Sequence, residues 1–113
     1  MIVKNLTQNI VLSLQADLAD TILSRMQGLL GRKTLEQGRA LIITQCNSIH
    51  MFFMKFPIDA IFIDRAGCVV GCVKNIKPFQ MSPLFWTAER VVELPAGTID
   101  RTATALGDIL EIK

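Results

Sequence analysis

The sequence has few charged residues and no run of charges of one sign. Charged residues make up 19% of its 113 positions, the formal net charge is +2, and the 12 basic residues form no run longer than the pair Arg32 and Lys33. Tails that bind nucleic acid or anionic membranes carry basic runs, so neither partner is predicted. Hydrophobic residues make up 50%, which is too many for a disordered chain. The length suits a single domain over residues 1–113.

Long hydrophobic runs are missing as well. The most apolar stretch, residues 49–63, is interrupted by Lys55, Pro57 and Asp59, and it is shorter than the roughly 20 residues that a membrane-spanning helix needs. Residues 10–18 alternate between apolar and polar, unlike the continuous apolar region of a secretory signal. Neither a membrane span nor a signal peptide is therefore expected.

Cysteine is scarce, and the number of cysteines is odd. Cys46, Cys68 and Cys72 do not resemble the paired framework of a small secreted domain. Reduced thiols in a reducing compartment are the simplest interpretation. Together with the missing membrane span and signal peptide, they predict a cytoplasmic location.

The hydrophobic pattern indicates a β-rich chain with one helix in its N-terminal half. The alternation over residues 10–18 predicts a half-buried strand, and residues 2–6 add a weaker one. From Asp20 or Thr21 the period changes to that of a helix, which Gly31 would end. Further strands are predicted at Ala40–Thr44, Ile49–Phe53, Ala60–Asp64, Cys68–Val73, Arg90–Leu94 and Ile109–Ile112.

Turn residues separate these strands. Asp64 and Gly67 bracket a tight turn that joins two strands as a hairpin, and a brief helical turn is predicted around residues 98–105. Residues 77–88, which hold Pro78 and Pro83, predict a long surface loop. Because no regular helices alternate with the strands, the predicted fold is mainly β. We expect a small antiparallel barrel or jelly-roll-like sandwich with one helix packed on it.

Several sequence blocks occur in the order typical of a known family. They are Arg25–Arg32, Ile49–Asp64, Gly67 with Val69 and Val70, Val91–Gly97, and Gly107 with Asp108. This set resembles domain-of-unknown-function family 192, a group of small uncharacterised bacterial and archaeal proteins. The resemblance implies a mainly β, jelly-roll-like domain with a helix near the N-terminus, and it implies no reaction, substrate or cofactor.

The chain departs from that family's pattern in the central block. Members often carry a Trp-Met pair and an asparagine there, whereas this chain has Phe53, Met54 and Phe56. A role that the asparagine has elsewhere would therefore not operate in this protein.

Arg25 and Arg32 are the first candidate site. On a helix they lie within about 20° of each other beside Gly28, at the edge of the apolar face. Two guanidinium groups over an open backbone would hold a carboxylate or phosphate. The alternative is that they pair with an internal acid such as Glu93 or Asp59, or extend over the core.

The central block supplies two further candidate sites. His50, Met54 and Cys46 together would suit a soft metal ion, although methionine and free cysteine are also ordinary core residues and their spacing matches no zinc motif. His50 with Asp59 would suit general base catalysis. The alternative is that Asp59 caps the turn that follows Pro57.

A non-catalytic binding module is the favoured function. The predicted ligand is a small anion, held by Arg25 and Arg32 with His50 and Asp59 nearby, or a protein partner. The apolar residues of loop 77–88 would form a contact patch if they are exposed, although such loops often cover the end of a barrel instead. The alternative is a hydrolase-like or metal-dependent enzyme that uses His50 and Asp59. No cofactor is predicted, and the sequence leaves the oligomeric state open.

Overall fold

The computed structural model describes residues 1–20, 34–51 and 54–113, and strands dominate this part of the chain. The mainly β prediction is confirmed. The elements are β1 (Val3–Asn5), β2 (Ile10–Ser13), β3 (Gln15–Ala19), β4 (Arg39–Thr44), β5 (Ile58–Ile63), β6 (Val69–Ile76), β7 (Arg90–Pro95), α1 (Thr98–Thr102) and β8 (Leu110–Ile112).

The strands form two sheets, and among the described residues these do not close into a barrel. The smaller sheet has the order β2-β1-β8 and is antiparallel. The larger sheet has the order β3-β4-β7-β5-β6, in which β3 and β4 are parallel and all other pairs are antiparallel. The described residues thus form an open arrangement of two sheets, and neither the predicted barrel nor the jelly-roll-like sandwich is confirmed. The parallel pair of β3 and β4 also departs from the predicted all-antiparallel pairing.

Two hydrophobic clusters lie on opposite faces of the larger sheet. One cluster, here called the inner core, lies between the sheets and includes Val3, Ile61 and Ile99. The other, here called the loop-side core, includes Ile58 and Phe62 and is covered in part by chain outside the sheet. Because alternate residues of a strand point to opposite faces, β5 supplies both clusters, and all six of its residues are buried.

The predicted strand over residues 10–18 is wrong in one respect, because it is split into β2 and β3. The backbone N–H groups of Leu14 and Gln15 both donate to the carbonyl of Gly38, at 3.0 and 3.1 Å. The Ser13 hydroxyl donates to the same carbonyl at 2.8 Å. These bonds turn the chain at residue 14, so β2 joins the smaller sheet and β3 the larger one. Alternation alone does not reveal such a bend.

Most of the other predicted elements are confirmed. Strands occur at each site predicted from residue 60 onward, and β4 matches the prediction at residues 40–44. The predicted helical turn is present as α1. The strand predicted at residues 49–53 is not present over its described residues, 49–51. His50 instead forms an isolated antiparallel β-bridge with Met81. The predicted helix after Asp20 lies outside the described residues.

The hairpin turn predicted between β5 and β6 is confirmed, with Asp64 and Gly67 in the predicted roles. Asp64 Oδ1 accepts hydrogen bonds from the backbone N–H groups of Ala66 and Cys68, each at 2.9 Å. Gly67 has a φ of 89°, and a Cβ at this position would lie 2.6 Å from the Leu110 carbonyl oxygen. Glycine is therefore required there for both its conformation and its small size.

Among the described residues, no helix is long and apolar enough to cross a membrane.

Candidate functional site

The loop between β6 and β7, residues 77–88, holds large apolar side chains in solvent. The exposed fractions are 71% for Phe79, 67% for Met81, 43% for Leu84 and 83% for Trp86. We call these four residues the apolar patch. Single exposed apolar residues are common on protein surfaces, but four on one loop are typical of a contact surface.

Backbone hydrogen bonds fix the first half of this loop against residues 49–51. The N–H of Met51 donates to the Gln80 carbonyl at 2.7 Å, and the N–H of Phe79 donates to the Met51 carbonyl at 2.9 Å. Ser82 is bonded twice to Ile49: its N–H donates to the Ile49 carbonyl at 2.8 Å, and its hydroxyl accepts from the Ile49 N–H at 2.8 Å. The loop is thus tied down without being part of a regular sheet.

Phe85 anchors the second half of the loop. Its ring lies 4.5 Å from the ring of Phe62, centroid to centroid, at an interplanar angle of 34°. Its N–H donates to the Asn47 carbonyl at 2.9 Å. Gly71 provides the space, because a Cβ at that position would overlap the Phe85 ring. Phe85 therefore faces the loop-side core while its neighbours Leu84 and Trp86 remain exposed.

The two chain segments that build this region contain no acidic residue. Neither residues 37–58 nor residues 65–88 include an aspartate or glutamate. Lys55 and Lys77 are exposed within them, whereas Lys74 is bonded to Asp100 at 2.7 Å. The Asp100 carboxylate raises the pKa of the Lys74 ammonium. The apolar patch thus lies on segments whose formal charges are all positive.

Asp59 is a buried structural residue. Only 1% of it is exposed. Its Oδ1 accepts from the backbone N–H of Asn75 at 2.8 Å, and its Oδ2 accepts from Gly97 at 3.1 Å and Ile99 at 2.8 Å. The carboxylate thereby ties the end of β6 to the first turn of α1, where anions are favoured. The bonds are not those of the predicted cap on the turn after Pro57, because all of them go to distant parts of the chain.

The structure does not bring His50 and Asp59 together. Asp59 alternates along β5 with residues of the loop-side core and lies on the inner-core face with Ile61. His50 is exposed and lies between Ile49 and Met51, both of which belong to the loop-side core. His50 is thus exposed and lies outside the larger sheet, whereas Asp59 is buried within β5.

Two of the residues considered as metal ligands, Met54 and Cys46, contribute to packing at the loop-side core. Met54 is buried in the loop-side core, and Cys46 packs against that core from a half-buried position. The Cys46 thiol lies 3.1 Å from the Ser48 carbonyl oxygen, to which it donates. No group of three His, Cys, Asp or Glu side chains suited to a metal ion occurs among the residues that the structure describes.

Arg25 and Arg32, the predicted anion-binding pair, lie outside the described residues. The structure does bring two other arginines, Arg65 and Arg90, to one depression at the end of the larger sheet. Sequence reasoning missed this pair because they are 25 positions apart and share no motif. It also overlooked that residues 37–58 and 65–88 contain no aspartate or glutamate, although the sequence alone shows this.

The fold and the exposed loop together define a small two-sheet β domain with a fixed apolar surface. The DUF192 family model, described as an uncharacterized ACR family, matches residues 3–112. The chain therefore belongs to this family, as the sequence resemblance predicted, and no activity is established for it.

Archaeal relatives and a solved structure agree with that assignment. A UPF0127 protein of Thermococcus sibiricus is 32% identical over 111 residues, which are 95% of this chain and 71% of that protein. A UPF0127 protein of Pyrococcus furiosus is 31% identical over 114 residues, covering 95% of this chain and 94% of that protein. A crystal structure of a protein of unknown function from Novosphingobium aromaticivorans shares the fold, with a TM-score of 0.84, 23% identity, and coverage of 98% and 82%.

Proposed function

We propose that this protein is a non-catalytic binding module that recognises a protein partner through the apolar patch. The supporting observation is that Phe79, Met81, Leu84 and Trp86 are exposed on a loop whose backbone is hydrogen-bonded in place. Aromatic residues and methionine are enriched at interfaces, and a fixed loop loses little conformational entropy when it is covered.

The proposed partner carries apolar anchors beside acidic residues. Its apolar groups would cover Phe79 and Trp86, each of which gains about 1.5–3 kcal/mol when fully buried. Its carboxylates would face Lys55 and Lys77, because the segments around the patch supply only basic groups. Complementary charge of this kind speeds association and fixes orientation more than it adds affinity.

The enzyme alternative has less support. A general base needs its partner carboxylate within hydrogen-bond reach, yet Asp59 is buried in β5, whereas His50 is exposed and lies outside the sheet. Both oxygens of Asp59 also accept backbone hydrogen bonds. Anion binding by Arg25 and Arg32 stays a prediction from the sequence.

Selection of peptides from a random displayed library tests the proposal. We expect the selected peptides to combine aromatic or aliphatic residues with aspartate or glutamate. Trp86→Ala should weaken their binding by at least about 30-fold, since a central aromatic contact contributes about 2 kcal/mol or more. Binding is followed by the fluorescence anisotropy of labelled peptides, because Trp86→Ala removes the one tryptophan of the chain.

Leu106→Ala is the matched control, because Leu106 is also exposed, at 67%, but lies outside the loop. It should leave peptide binding unchanged. Peptides that bind Trp86→Ala as well as the original protein would contradict the proposal, as would selected peptides without acidic residues. Sedimentation velocity adds a further check, because a homodimer that Trp86→Ala dissociates would show that a second copy covers the patch.

A further inference from the structure

We infer that the depression beside Arg65 and Arg90 is a binding site for a small oxyanion, a free carboxylate or phosphate. It has a volume of about 390 Å³ and is lined by Thr44, Gln45, Arg65, Glu89 and Arg90. This site uses none of the residues of the apolar patch, so it stands independently of the proposed function.

The site lies where three elements of the larger sheet end together. In the sheet register, Arg90 at the start of β7 is opposite Thr44 at the end of β4 and Ile63 at the end of β5. Arg90 thus lies on the central strand, β7, with β4 on one side and β5 on the other. Its backbone position is set by the sheet, and its half-buried side chain extends to the depression.

Arg65 approaches from the hairpin between β5 and β6. It follows Asp64, whose Oδ1 accepts from the N–H groups of Ala66 and Cys68. This rigid turn fixes the position from which the Arg65 side chain extends. Gln45 also lines the depression; it follows β4 and has a left-handed φ of 51°.

Neither guanidinium is paired with a carboxylate of residues 1–20, 34–51 or 54–113. Within the part of the chain that the structure describes, Arg65 and Arg90 form no ion pair, even though Glu89 lines the same depression. Both arginines line the same depression, and each guanidinium carries paired N–H donors that match the oxygens of a carboxylate or phosphate. The net charge of the lining side chains is positive, which favours an anion over a cation.

Titration of inorganic phosphate into ¹⁵N-labelled protein at low ionic strength tests this assignment. We expect saturable amide shifts at Gln45, at the Arg65 turn and at Arg90. Arg65→Ala and Arg90→Ala should each raise the dissociation constant by about tenfold, the loss expected for one charge-assisted contact. Glu89→Gln should lower the constant, because it removes a repelling charge.

Arg101→Ala is the control, since Arg101 is an exposed arginine on α1 that does not line the depression. It should leave the dissociation constant unchanged, and a parallel titration with sodium chloride should give no saturable shift. Arg65 is exposed at a turn, so its removal should not disturb the fold. The assignment is overturned if phosphate gives only uniform, non-saturating shifts, or if the Arg65→Ala and Arg90→Ala variants bind phosphate as tightly as the original protein.

Discussion

At the residue scale, the carboxylate of Asp59 is the most heavily bonded side chain of β5. Each of its oxygens accepts at least one backbone N–H, from Asn75 on one side and from Gly97 and Ile99 on the other. An asparagine in its place would turn a donor NH₂ group toward N–H donors. We therefore expect Asp59→Asn to lower the free energy of unfolding by about 2–4 kcal/mol, measured by urea denaturation.

Asp64→Asn provides the comparison for that experiment. Asp64 accepts both of its side-chain hydrogen bonds through Oδ1, so the carbonyl oxygen of an asparagine could accept both. We expect a loss of no more than about 1 kcal/mol. Equal losses for the two substitutions would show that the paired use of both Asp59 oxygens is unimportant.

The two aspartates also show what the sequence could predict at this scale. Asp64 was predictable, because Asp and Gly bracketing a short gap between two apolar runs specify a local turn. The role of Asp59 was only partly predictable. The alternative interpretation was a cap on the local turn after Pro57, but the partners Gly97 and Ile99 are 38 and 40 positions away. No local pattern connects residues that only the tertiary fold brings together.

At the element scale, loop 77–88 depends on one close contact between Phe85 and β6. A Cβ on Gly71 would overlap the Phe85 ring. We expect Gly71→Ala to displace that ring from Phe62 and to lower the free energy of unfolding by about 1–3 kcal/mol. The same substitution should weaken peptide binding at the apolar patch, since the loop would lose its anchor.

A double-mutant cycle separates this contact from a general effect on β6. In a Phe85→Ala background the ring is gone, so Gly71→Ala should cost less than it does alone. Urea denaturation of the four proteins measures the difference. If the cost of Gly71→Ala is the same in both backgrounds, the proposed contact does not control the stability of the loop.

The strands were the most predictable elements, and the connections between sheets were the least. Runs such as Ile58–Ile63 are apolar and β-branched, and they form strands as expected. The bend at Leu14 was not predictable, because its hydrogen-bond acceptor, the Gly38 carbonyl, belongs to a distant turn. The apolar residues of loop 77–88 had two predicted outcomes, exposure as a contact patch or burial over the end of a barrel. The sequence could not decide between them, since the same residues would also suit a buried lid.

At the scale of the whole molecule, a buried hydrogen-bond network around Asp108 joins the first and last parts of the chain. Asp108 Oδ2 accepts from the Asn5 amide at 2.9 Å, from the N–H of Ala105 at 3.0 Å and from the Gln8 amide at 3.2 Å. The Asn5 amide is the main cause that lowers the pKa of the Asp108 carboxyl below its usual value. Burial acts in the opposite direction, and the Ala105 and Gln8 bonds lower the pKa further.

This lowered pKa predicts a loss of stability in acid. Because the pKa of Asp108 is lower in the folded than in the unfolded chain, its stabilising effect is present above the unfolded value of about 3.9. The effect is lost as the pH falls through the folded pKa. Urea denaturation across the acidic range should show a flatter pH dependence for Asp108→Asn than for the original protein. Equal slopes would mean that other carboxylates account for the acid sensitivity.

The pairing of β1 with β8 has a consequence for how the chain can be rearranged. Ile2 and Lys113 exchange two backbone hydrogen bonds, with N···O distances of 2.7 and 3.0 Å. A short linker could therefore fuse these positions into a ring without straining either sheet, and the chain could be reopened between the exposed residues Glu36 and Gln37. In such a permuted protein β1 and β8 would be neighbours in sequence as well as in space, so the smaller sheet would be built from local contacts.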